Sequence, residues 1–108
     1  MADRIDALPA MLRRGQDSAL LRFSLGSEYR AAGRDEEAIE HLERAVELDP
    51  SYSAAFKLLG RCLAAAGRDE AASDAFRKGI EVAEAKGDRQ AAKEMAVFLR
   101  RLEKGRGG

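Results

Sequence analysis

Residues Ala31-Ala32-Gly33-Arg34-Asp35-Glu36 return unchanged as Ala65-Ala66-Gly67-Arg68-Asp69-Glu70. Six identical residues at one fixed spacing in so short a chain make it a repeat protein before any fold is assumed. Each copy reads as a joint between two helices. The alanine pair closes a tightly packed helix, and the glycine takes the left-handed conformation just past its end. Asp35 and Asp69 are expected to cap the helices that follow by accepting orphan backbone N–H groups. Glu36 and Glu70 then sit in a first turn where the helix dipole favours negative charge.

Around these joints the composition is helical. The chain has 108 residues, two prolines and no tryptophan. No alternating run of β-branched residues suggests a strand. Nineteen basic side chains balance nineteen acidic ones, so no global charge pulls the chain towards nucleic acid or an anionic membrane. Cys62 has no second cysteine to pair with, which fits a reducing compartment. The acidic start Met1-Ala2-Asp3-Arg4-Ile5-Asp6 is unlike a signal peptide, and no apolar stretch is long enough to span a bilayer. A cytoplasmic single domain is expected.

Six helices are predicted. A leading helix over residues 1–16, carrying Ile5, Leu8, Met11 and Leu12, covers one end of the array. A second, capped by Asp17 or Ser18, runs to Ala32 with Leu21, Leu25, Tyr29 and Ala32 as its buried stripe. A third runs from Asp35 to Leu48, with Glu40 and Arg44 as an i,i+4 pair, until Asp49-Pro50 stops it. A fourth starts at Ser51 and ends at Ala66. A fifth runs from Asp69 to Lys86, and a sixth, capped by Asp88, occupies 88–104 before a disordered tail at 105–108. Gly26 and Gly60 lie inside helices, where glycine costs about 1 kcal/mol relative to alanine. Close approach of a neighbouring helix is the usual reason, and Ala38 and Ala72 are the expected facing residues.

Aligned on the joints, Leu25-Gly26 falls on Leu59-Gly60, Tyr29 on Leu63, Ala38 on Ala72 and Leu42 on Phe76, and Pro50 closes the first unit. This resembles the tetratricopeptide repeat, with its pattern W-x2-L-G-x2-Y, A-x3-F, P. Arg22 and Phe56 stand where that pattern has tryptophan. The resemblance implies an all-α fold, an α-solenoid of antiparallel helix pairs in a right-handed superhelical stack. Its units would be 19–52 and 53–86, flanked by the two capping helices. Two units are fewer than such arrays usually need, so the capping helices, or a second copy of the chain in a homodimer, must cover the ends.

The resemblance also implies function: a protein–protein interaction module without catalysis, holding a peptide against the first helices of its units. Carried over by position, the groove comprises Leu20, Phe23, Ser27 and Arg30 in the first unit. In the second it includes Lys57 and Arg61, and the last helix adds Lys93 and Arg100, or Arg101 beside it. Lys57 and Arg61 share one helical face and would receive acidic side chains or a C-terminal carboxylate. The family's carboxylate clamp needs Lys and Asn where Phe23 and Ser27 stand, so that specificity does not carry over.

Charge is divided along the neutral chain. Residues 34–49 hold two basic and seven acidic side chains, and residues 89–104 five basic and two acidic. The basic last helix and, more weakly, the single RGG-like triplet in Gly105-Arg106-Gly107-Gly108 suggest nucleic acid, which the overall charge disfavours. His41 reads as a surface histidine and Cys62 as a packed core thiol. No metal-ligand cluster, phosphate-cradling loop or catalytic carboxylate pair is present in the sequence, so no cofactor and no enzyme activity are expected.

Overall fold

The computed structural model describes residues 17–106, and these form five α-helices: α1 (Ala19–Ala31), α2 (Asp35–Leu48), α3 (Ser53–Ala65), α4 (Asp69–Lys86) and α5 (Arg89–Arg106). The leading helix expected over residues 1–16 lies outside the described residues. The last helix runs on through Gly105 to Arg106, beyond the end expected at Lys104.

The repeated hexapeptide forms a Schellman turn in each copy. Arg34 N–H donates to the Tyr29 carbonyl at 2.8 Å and Arg68 N–H to the Leu63 carbonyl at 2.9 Å, with Gly33 and Gly67 at φ +77° and +79°. The same closure recurs where α4 meets α5, with Asp88 N–H donating to the Ala83 carbonyl at 2.8 Å. Three helices thus end by one device, although the sequence identity marks only two of them.

Helix starts depart from expectation. Arg34 and Arg68 hold the non-helical N-cap positions, and neither makes a side-chain cap. Asp35 and Asp69 are therefore the first helical residues, where their charge meets the dipole and the backbone N–H groups go uncapped. Ser18 caps α1 by accepting from Leu21 N–H at 3.1 Å. Ser51 lies ahead of α3 in an Asx turn, its N–H and hydroxyl both donating to Asp49 Oδ1, so the helix starts at Ser53. Asp88 caps α5 by accepting from Ala91 N–H at 3.2 Å. Its other oxygen accepts from the buried Ser53 hydroxyl at 3.3 Å, tying the start of α5 to the start of α3.

Consecutive helices pack as neighbours, and α3 also touches both α1 and α5. One core runs through α2 to α5, with Leu42, Cys62, Phe76 and Met95 inaccessible or nearly so. The helical glycines explain how closely the layers approach. A Cβ on Gly26 would lie 2.5 Å from Leu42 Cγ, and one on Gly60 would lie 2.5 Å from the Phe76 ring. The facing residues are thus the large Leu42 and Phe76, where Ala38 and Ala72 were expected. Gly79 does the same in the next layer, admitting Met95 of α5 and Phe56 of α3. Ala32 is exposed, outside the stripe assigned to it. Arg44 pairs with Asp17 at 3.6 Å and Glu47 at 3.2 Å, where Glu40 was the expected partner.

Candidate binding site

The site grows out of a stack of four residues. Gly60 leaves room for Phe76, Phe98 of α5 stacks on Phe76 with ring centroids 5.5 Å apart, and the Arg61 guanidinium lies 5.1 Å from the Phe98 centroid. A cation over an aromatic face is attracted by the ring quadrupole and is held flat. Arg61 is therefore held over Phe98 without an ion pair among the described residues, while its charge still helps lower the pKa of Glu94.

Beside this stack lies an open cleft of about 240 Å³, with an apolar floor of Phe76, Phe98 and Leu102 and with Arg30, Arg61 and Arg101 around it. Arg30 reaches in from α1, and its Nε is buried without a hydrogen-bond partner among the described residues. A second cleft of about 280 Å³ shares Arg61, Phe98 and Arg101 and continues to Lys57, Glu94 and Val97. Lys57 Nζ donates to Glu94 Oε1 at 2.8 Å, and Gln90 donates to the other oxygen at 3.3 Å. These bonds, Lys57 first, hold the Glu94 carboxyl below its ordinary pKa.

The residues expected to form the groove do not gather in one place. Arg30 and Arg61 meet in the first cleft. Lys57 stands in the second, with its charge already engaged. Arg100 faces a third cleft, shared with Val97, Arg101 and Lys104, and Lys93 is exposed away from the first two. Leu20 is 67% exposed, Ser27 is half-buried, and Phe23 packs on Tyr52 with centroids 5.1 Å apart; the two central clefts are formed without them. Phe98, Leu102 and Glu94 were missed. The first two belong to an apolar stripe that reads as core, although Glu94, Phe98 and Leu102 at i, i+4 and i+8 do trace one helical face.

Two polar sites lie outside the clefts. His41, expected at the surface, is half-buried against α1, stacked on Tyr29 with centroids 5.4 Å apart. Its Nδ1 lies 2.9 Å from Arg22 Nη1. Arginine can only donate, so the imidazole is neutral with its proton on Nε2. Burial, and then Arg22, lower its pKa from the ordinary value. Burial raises the Cys62 pKa, against the smaller opposing pull of Arg30 and Arg61. Among the described residues there is no cluster that could hold a metal ion, and no helix is long and apolar enough to cross a membrane.

A TPR repeat-containing protein of Pseudomonas aeruginosa is 52% identical to this chain over 102 residues, covering 94% of the chain and 97% of the relative. The chain belongs to the TPR repeat family. The family model described as TPR repeat matches residues 26–67, from the first interior glycine to the second joint. A protein from Bordetella parapertussis, solved in solution, superposes with a TM-score of 0.83 at 41% identity, covering 97% of this chain and 91% of that one. The crystal structure of a tetratricopeptide repeat domain protein from Salinibacter ruber gives 0.76 at 26% identity, covering 82% and 98%. TPR domains are generally protein-interaction modules, and the TPR helical-repeat fold is typically a non-catalytic scaffold.

Proposed function

We propose that this TPR protein is a non-catalytic module that holds an acidic segment of a partner protein against α1, α3 and α5. An anionic group sits among Arg30, Arg61 and Arg101, and a neighbouring apolar side chain rests on Phe98 and Leu102. The observation that carries this reading is the three arginines around an apolar floor, with no acidic side chain among the residues lining that cleft. A charged group facing apolar surface gains most from a partner of opposite sign, and arginine forks match carboxylates in bidentate geometry. The centre of recognition is thus Arg61 with Arg101, because Lys57 already has Glu94.

Fluorescence anisotropy with acidic peptides tests this. Arg61→Glu and Arg101→Glu should each weaken binding by tenfold or more, about 1.4 kcal/mol. Lys93→Glu should change it little. Undiminished binding to the Arg61→Glu and Arg101→Glu proteins would remove the site. Catalysis has no evident apparatus on this face. The buried free thiol of Cys62 fits a reducing, cytoplasmic setting.

A further inference from the structure

We infer that the Arg30–Arg61–Arg101 cleft selects a phosphorylated side chain over a carboxylate. This rests on the peptide-binding reading above and specifies the chemistry of the group bound.

The charge balance around the cleft is the first argument. α5 contributes two acids, and both are already engaged: Glu94 with Lys57 and Glu103 with Arg77. Arg30, Arg61 and Arg101 line the cleft with no acid among its lining residues, and Glu94, near enough to Arg61 for the guanidinium to help lower its pKa, is taken up by Lys57. A carboxylate brings one charge and two oxygens, which a single bidentate arginine can occupy. Two guanidinium groups would then remain uncompensated. A phosphate monoester brings a charge of about −1.5 to −2 at pH 7 and three acceptor oxygens, which three arginines can share.

Preorganisation is the second. Arg61 is held over Phe98, so its fork loses little freedom on binding. Size and floor are the third. About 240 Å³ walled by Phe76, Phe98 and Leu102 suits one side chain with an apolar stem. Basic residues continue from Arg101 to Arg100 and Lys104 in the third cleft, while the second cleft carries Glu94, so a strand following the phosphate track is set against a single phosphate by the oligonucleotide arm of the test.

The test is an NMR titration of the isotope-labelled full chain with phenyl phosphate, benzoate and inorganic phosphate. Phenyl phosphate should move the amides of Arg61, Phe98 and Arg101 and bind at least tenfold more tightly than benzoate. Its affinity should fall as pH drops through about 6, where the phosphate takes up its second proton. Arg101→Ala, a change at an exposed position, should weaken it by tenfold or more, and Lys93→Ala should leave it unchanged. Equal affinity for benzoate would overturn the inference, as would shifts centred on Lys93 and Lys104. So would a single-stranded oligonucleotide that moves the same amides at lower concentration. Acidic peptides that bind at Arg61 without preferring phosphate would remove this inference alone. Failure of both peptides and phenyl phosphate would remove the peptide-binding reading as well.

Discussion

Gly60 shows how one missing side chain can govern a site. Its hydrogen occupies space that a methyl group would contest with the Phe76 ring, and that ring is 1% exposed and stacked on Phe98. Overpacking a core costs about 1–3 kcal/mol, while replacing glycine by alanine inside a helix returns about 1 kcal/mol. Gly60→Ala should therefore lower stability by about 1 kcal/mol net, a fall in Tm of about 4–8 °C. Because Phe76 supports Phe98 and Phe98 supports Arg61, ligand affinity should fall with it. His41 supplies a second prediction at this scale. Its folded pKa lies below its ordinary value, so the folded state favours the neutral ring. Stability from this group is then complete above about pH 6.5 and declines as pH drops through the folded pKa, before most carboxylates protonate. Urea midpoints between pH 7.5 and 5 should show that decline, and His41→Gln should flatten it.

Among the elements, α5 decides where the site lies, and here sequence and structure diverge most clearly. The joints could be read because they are local: Gly33 and Gly67 close helices with bonds to residues only a few positions back. The orientation of α5 could not, because it depends on partners far away in sequence. α4 has 18 residues where α2 has 14, since no proline follows at the corresponding place. α5 presents Glu94, Phe98 and Arg101 to the two central clefts; Arg101 was the alternative to Arg100 in the sequence reading, whereas Lys93 lines neither cleft. The Asp35 and Asp69 caps failed for a local reason: the Schellman turn already places Arg34 and Arg68 at the N-cap. The Lys57–Glu94 bridge joins α3 to α5 across 37 residues of sequence. With both side chains about a third or more exposed, its contribution should be about 0.2–1 kcal/mol. A double-mutant cycle with Lys57→Ala and Glu94→Ala, read by urea denaturation, should return a coupling in that range. The two single variants should also differ in ligand binding: Glu94→Ala frees a cation beside the cleft and strengthens it, while Lys57→Ala leaves the Glu94 charge without its lysine and weakens it.

At the scale of the whole molecule, the described residues form two helix pairs and one further helix in a continuous stack. Gly26, Gly60 and Gly79 mark successive places where a large side chain from the next helix enters the one before: Leu42, Phe76 and Met95. The repeat itself links the units, because Arg68 in the second hexapeptide pairs with Glu36 in the first. Family and architecture were readable from the sequence because interior glycines and joints recur in register. Which cations remained free was not, since that depends on pairings between helices brought together only by stacking.

Cys62 turns this packing into a clock. It is fully enclosed on α3, and burial raises its pKa, so both access and thiolate formation are suppressed in the native state. A thiol reagent can therefore react only when the helices around α3 separate, and labelling kinetics report how often that happens. The native chain should react slowly and in a single phase. Gly60→Ala should hasten the reaction, and a saturating ligand bridging α3 and α5 should retard it. The protein thus carries its own stopwatch for the opening of its recognition helix, with no dye or engineered label required.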